Sequence, residues 1–194
     1  MSFPYPTDWP QFFTASIYNW LPLLHEDKYK NIIVSSLQFL VQQKRIELNA
    51  FVIMNNHTHI IWQPLPGHTL YSIQLSFMKY TAQQIKFAYT DSNNVLIEQC
   101  RVNKADRLYQ IWKREPLSVE LSSEAVFLQK LEYIHYNPVA AGLCKFPEEY
   151  HYSSALYYDQ AIDHFQMITL IWKMFRSNSN FVSLETTPGD SVTN

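Results

Sequence analysis

Glycine is nearly missing from this chain. Only Gly67, Gly142 and Gly189 occur among 194 residues, so no loop offers the closely spaced glycines of a Walker A loop or a dinucleotide-binding turn. Chemistry driven by a bound nucleotide is therefore not expected. Cysteine is as scarce: Cys100 and Cys144 form no CxxC pair, which argues against a zinc ribbon, a thioredoxin-type site and a secreted disulfide scaffold. A reducing cytoplasm fits this usage. No apolar run approaches the 18 or so residues that span a bilayer, and MSFPYPTDWP lacks a basic segment followed by an apolar one, so neither a membrane span nor a secretory leader is expected. Excess charge is also lacking. Fifteen Lys and Arg stand against 17 Asp and Glu, a formal net charge of -2, so a nucleic-acid partner would need a local basic patch.

What is present is apolar and aromatic. A hydrophobic content of 47% with 15% aromatic residues in a chain of this length predicts one globular domain with a sizeable core. Residues 1–175 are expected to form it. The segment 176–194 is rich in Ser, Thr and Asn and reads as a mobile tail. Gln11 to Tyr18 is aromatic and β-branched and predicts a strand. Between Glu26 and Lys44, Tyr29, Ile33, Leu37 and Leu40 recur at helical spacing. Arg45 to Met54 changes to a period of two that places Ile46, Leu48, Ala50, Val52 and Met54 on one face. Asn55-Asn56 then turns the chain into a returning strand, His57 to Gln63.

Thr69 can cap a second helix with an apolar stripe of Leu70, Ile73, Phe77 and Tyr80, running to about Tyr89. Asp91 to Asn103 reads as a connector, and Leu108 to Lys113 as a short aromatic strand. Ser122 or Ser123 can cap a third helix, with Phe127, Leu131 and Ile134 as its stripe, that Pro138 is expected to end. The order βαββαβα predicts an α+β, ferredoxin-like antiparallel sheet with helices, the third helix following the last core strand. Beyond Gly142, PEEYHYSS should dock on the core. Ala161 to Phe175 reads as either helix or strand.

His57 and His59 are the sharpest local feature. At i and i+2 on a strand both imidazoles share a face, with Thr58 on the other, so they can converge on one divalent cation or simply stand as two half-exposed sheet histidines. On the third helix Tyr133 and Asn137 are four apart and share a face, with Lys130 one turn earlier. Arg101 to Arg114 collects Arg101, Lys104, Arg107, Lys113 and Arg114 against Asp106, interleaved with Tyr109 and Trp112. Such a stretch can hold phosphates while its rings stack on unpaired bases. Lys79 and Lys86 on the second helix could extend this patch.

The segments FVIMNNHTHIIWQP, LSFMKYTAQQIK, IWKREP, LEYIHYNPVAAGL and PEEYHYSS, in that order over residues 11 to 155, resemble the REP-associated tyrosine transposases. These belong to the wider HUH single-tyrosine transposases. The resemblance implies a ferredoxin-like core, a cytoplasmic enzyme, and single-stranded or hairpin DNA as partner. It allows a homodimer. The family's two histidines flanking a hydrophobic residue match His57-Thr58-His59, with a threonine in the apolar place. The family's nucleophile begins the Tyr-Ile-x-x-Asn-Pro motif, here Tyr133 to Pro138, and Asn137 matches the polar residue that completes the metal site. Tyr136 falls at a variable position. The implied reaction is metal-dependent nicking and strand transfer through a 5′-phosphotyrosine, with Mg²⁺ or Mn²⁺ on His57, His59 and Asn137. Lys130 and His135 are candidates to activate the tyrosine. Two other classes compete: a nucleic-acid-binding module that no longer cleaves, and a zinc hydrolase, against which stands the lack of an HExxH or comparable spacing.

Overall fold

The computed structural model describes residues 9–91 and 95–170. The tail 176–194, and residues 171–175 of the segment left open between helix and strand, lie outside the described residues. Strand β1 (Gln11–Ser16) leads to helix α1 (Asp27–Gln42), strands β2 (Ile46–Ile53) and β3 (His57–Pro64), and helix α2 (Leu70–Asp91). Short strands β4 (Arg101–Lys104), β5 (Arg107–Tyr109) and β6 (Leu117–Glu120) precede helix α3 (Glu124–Ala140) and the short α4 (Ala155–Gln160). The four-stranded sheet has the order β2-β3-β1-β6, antiparallel throughout, while β4 and β5 form a separate ribbon. This is the ferredoxin-like arrangement expected, with β6 as the fourth strand.

That last strand corrects the sequence reading. Leu108 to Lys113 does not line the sheet: only Arg107–Tyr109 is a strand, paired with β4, and Trp112 makes a lone bridge to Ile17. Ile111 and Trp112 are buried in the main core, which explains their strand-like apolar character. The pairing with β1 comes from Leu117–Glu120, an edge strand whose four residues are all exposed and so carry no burial pattern to read.

The two sheet faces are covered differently. Helices α1 and α2 close one face over Phe13, Ala15, Ile60 and Trp62, where Phe13 stacks on Trp62 at 4.9 Å and both meet Phe77 edge-on. The buried side of α2 runs Ile73, Phe77, Thr81, Ile85 and Tyr89, with Tyr80 exposed instead of buried as its spacing had suggested. Helix α3 packs on the opposite face over a smaller cluster of Phe12, Ala50, Val52, Ile61, Phe127 and Ile134.

A bulge divides β2 between these faces. Leu48 pairs with Trp62 and Ala50 with Ile61, so Asn49 is the extra residue. Ile46 and Leu48 therefore join the α1/α2 core with Phe51 and Ile53, whereas Ala50, Val52 and Met54 face α3. The single face expected for all five is corrected. Tyr158 donates to the Asn49 carbonyl at 2.8 Å, and the Asn49 amide donates to the Thr169 carbonyl at 2.9 Å. Residues 161–170 are irregular apart from one bridge, Leu48 to Ile168.

Ser123 caps α3 by accepting from the Val126 N–H. The helix also runs through Pro138 to Ala140, a further correction. Proline removes one N–H, but here it lies in the last turn, and Gly142 at φ 70° closes the end with its N–H on the Val139 carbonyl. The PEEYHYSS segment docks as expected: the Ile53 N–H donates to the Tyr152 carbonyl, and the Ser154 N–H to the Phe51 carbonyl.

Candidate functional site

Alternation along β3 decides which side chains reach α3. Thr58, Ile60 and Trp62 turn inward to the larger core, and the Thr58 hydroxyl is tied to the Val52 carbonyl. His57, His59 and Ile61 take the other face. There a cleft of about 400 Å³ is lined by Thr14, Trp20, His57, His59, Lys130, Tyr133 and Asn137, with Phe12 and Leu117. Five residues singled out from the sequence thus meet in one place: the two histidines from β3 and Lys130, Tyr133 and Asn137 from α3.

Both imidazoles are oriented from behind. The His57 Nδ1–H donates to Asn56 Oδ1 at 2.7 Å, which leaves Nε2 as the lone-pair nitrogen. His59 Nδ1 is 2.7 Å from Thr14 Oγ1, the residue directly opposite it on β1. Its Nε2 is buried and has no hydrogen-bond partner among the described residues. The rings lie 4.8 Å apart, and the Asn137 amide is a hydrogen-bond partner of His57. Burial lowers the pKa of His57, an effect the Asn137 bond opposes. Burial, then repulsion from His57 and Lys130, pushes His59 down to about 3. Neutral imidazoles are the form in which histidine ligates a cation. An orphaned buried nitrogen beside a second imidazole and a side-chain amide therefore fits the divalent ion expected from the sequence. Among the described residues no group of three His, Cys, Asp or Glu that could hold a metal ion occurs; the Asn137 amide is a further polar side chain on this stretch of the cleft wall.

Tyr133 stands at the mouth of the cleft and is 49% exposed. Its ring lies edge-on to His59 at 5.1 Å and to Phe12 at 6.1 Å, so the apolar side is steadied while the side chain stays open to solvent. The Lys130 ammonium sits 5.7 Å from the Tyr133 ring centre and 5.1 Å from that of Phe12. His135 is corrected as an activator of the tyrosine. It points to the far side of α3, buried with Nε2 2.9 Å from Ser154 Oγ, and burial holds its pKa down at about 4. Tyr136 also lies on that side, lining a separate hollow with Glu132, Glu148 and Asp159.

The basic segment forms the β4–β5 ribbon and its exit. Arg101, Lys104 and Arg114 are exposed, and Arg107 is half-buried. Acids temper it: Arg101 pairs with Glu98 at 3.5 Å, while Arg107 and Arg114 share Asp106 at 2.6 and 3.4 Å. Trp112 is corrected as a stacking ring, because it is buried with its indole N–H donating to Thr81. Lys86 covers the Tyr109 ring at 5.0 Å, and Lys79 is exposed on α2. Lys113 lies against a residue of the cleft wall, its ammonium 3.8 Å from the ring centre of Trp20.

Trp20, Asn56 and Thr14 were missed by the sequence reading. Asn56 is adjacent to a histidine and could have been suspected as its orienting partner; nothing in the spacing of Trp20 or Thr14 marks them.

No family model matches the chain. A curated protein of Haemophilus influenzae (strain ATCC 51907 / DSM 11121 / KW20 / Rd), provisionally named a REP-associated tyrosine transposase, is 25% identical over 130 residues, 65% of this chain and 68% of that protein. A solved REP-associated tyrosine transposase bound to a REP hairpin superposes with a TM-score of 0.60 at 17% identity, covering 94% of this chain and 98% of the other. The chain resembles the REP-associated tyrosine transposases in sequence and in fold. A second solved structure, provisionally named a transposase from Deinococcus radiodurans R1, has a TM-score of 0.43 and 14% identity. Among the described residues no helix is long and apolar enough to cross a membrane.

Proposed function

We propose that this protein nicks and rejoins single-stranded DNA through a covalent 5′-phosphotyrosine at Tyr133, acting beside a DNA hairpin. The observation that carries the reading is the exposed Tyr133 hydroxyl-bearing ring set against an imidazole whose inward nitrogen has no partner among the described residues. The resemblance to proteins of this family, one of them bound to a hairpin, supports it.

His57, His59 and Asn137 would hold a Mg²⁺ or Mn²⁺ ion, which when bound supplies charge to polarise a scissile phosphate. The chain's own residues do the rest. Asn56 and Thr14 fix the two imidazoles, so the donors need no reorganisation. Tyr133 attacks phosphorus with its hydroxyl oxygen. The new O–P bond forms as the bond from phosphorus to the 3′-oxygen breaks; the phenolic proton leaves to solvent or a base, and the departing 3′-oxygen takes up a proton from solvent to become the 3′-hydroxyl. Lys130 places an ammonium beside the ring, where it stabilises developing phenolate charge. A second 3′-hydroxyl reverses the step on the retained phosphodiester bond, so joining needs no ATP. The basic ribbon, from Arg101 and Lys104 to Arg114, with Lys79, Arg107 and Lys113, holds backbone phosphates.

The test uses 5′- and 3′-labelled hairpin oligonucleotides with Mg²⁺, Mn²⁺ or EDTA on denaturing gels. Wild type should form a metal-dependent adduct with the 3′-side fragment, and Tyr133→Phe should bind equally and form none. An adduct on Tyr133→Phe would remove the nucleophile. Tight binding by wild type with no nick in any metal would leave a DNA-binding module in place of an enzyme.

A further inference from the structure

Trp20 is held in a backbone conformation that a bulky side chain rarely adopts. Asn19 at φ 53° and Trp20 at φ 56° are two consecutive left-handed residues, neither of them glycine. The strain is retained because the turn is tied down: the Trp20 N–H donates to the Ile17 carbonyl, and the Asn56 amide donates to the Trp20 carbonyl at 3.3 Å. The result is an indole that gains little from burial. It is 53% exposed on the rim of the cleft, edge-on to His57 at 5.9 Å, with the Lys113 ammonium 3.8 Å from its ring centre.

From this placement we propose that Trp20 and Lys113 form a nucleobase subsite: an unpaired base flanking the scissile phosphate stacks on the indole, and Lys113 meets the phosphate attached to that base. An aromatic face joined to a cation is the pairing that binds single-stranded nucleic acid. Asn56 makes the subsite part of the reaction centre, since the same amide that holds the Trp20 carbonyl accepts from His57. Seating a base on Trp20 therefore fixes the register of the strand relative to Tyr133. Lys113 is held at the indole, whereas Arg107 and Arg114 pair with Asp106.

The inference rests on the single-stranded DNA substrate proposed above, and its test separates the two. Hairpin oligonucleotides with single-stranded flanks carry 2-aminopurine at each flanking position in turn, bound in Mn²⁺ to protein with Tyr133→Phe so that nothing is cut. Fluorescence should be quenched at one flank position. Adding Trp20→Ala should abolish that quenching and weaken binding about tenfold, whereas Trp20→Phe should keep most of both. An abasic residue at the same position should cost the tryptophan protein a similar factor and the alanine variant little. Unchanged quenching and affinity in Trp20→Ala, or an abasic residue that costs nothing anywhere in the flanks, overturns the subsite and leaves the proposed function standing. Failure of wild type to bind any probe overturns the function itself.

Discussion

The two faces of one sheet are built by alternate residues of the same strands, yet they serve opposite ends. On β1 and β3, Phe13, Ile60 and Trp62 go to the face under α1 and α2, where apolar rings interlock and every one of the three is fully buried. Their neighbours Thr14, His57 and His59 go to the face under α3, where a cleft interrupts a much smaller core. The first face holds the fold, and because it is self-sufficient the second can carry an unpartnered imidazole nitrogen and a half-exposed tyrosine. A strand period of two is what allows the division: Thr14 and His59 are each held between two buried neighbours in the chain.

The sharpest break of this comparison substitutes one residue on each face. Phe13→Ala should cost about 3–5 kcal/mol of stability in urea unfolding, since it opens a cavity against Trp62 and Phe77. His59→Phe has nearly the same shape and a ready stacking partner in Phe12, 5.4 Å away. It also removes the orphaned nitrogen, so stability should stay within about 1 kcal/mol of wild type or rise, while DNA nicking on gels disappears. A large stability loss in His59→Phe would show that the α3 face is part of the structural core after all.

A pH series in EDTA sharpens the same contrast. His59 and His135 are held neutral by burial, with pKa values of about 3 and about 4 against an ordinary 6.5. Above pH 6.5 both are neutral folded and unfolded and contribute no pH dependence. As pH falls below 6.5 the unfolded chain takes up protons that the folded chain refuses, so stability drops progressively to about pH 4, and further toward pH 3 for His59. Urea midpoints should follow this course, and His59→Phe should flatten it. A stability that does not fall between pH 6.5 and 4 would mean that these rings are not sealed from water.

Much of this was legible beforehand because it depends on local periodicity. The His57/His59 pair needed only a strand, and a helix was enough to put Lys130, Tyr133 and Asn137 on one face, though the motif from Tyr133 to Pro138 and not the spacing singled out the tyrosine. What escaped detection depends on tertiary contacts. The bulge at Asn49 is held by Tyr158 and Thr169, more than 100 residues away, so alternation alone could not locate it. Strand β6 is all exposed, and Trp112 reads equally well as a stacking ring or a core residue until Thr81 is seen beneath it. Trp20 is set by two left-handed residues that no propensity favours.

The basic ribbon lies between these extremes, since its charges were visible in the sequence but their acidic partners were not. Exposed ion pairs are worth little and yield to phosphates, so Arg107 and Arg114 on Asp106 are held in reserve more than they are lost. Lys104→Ala should then weaken single-stranded DNA binding by a small factor and reduce the slope of log affinity against log salt by about 0.7, one phosphate's share. Asp106→Asn should act in the other direction, strengthening binding a few-fold at low salt as both arginines are released. Fluorescence anisotropy over a salt series measures both. Were neither substitution to alter the slope, the strand would have to run elsewhere, and Arg101 and Lys113, the latter over the Trp20 ring, would be the members of the basic segment left to carry it.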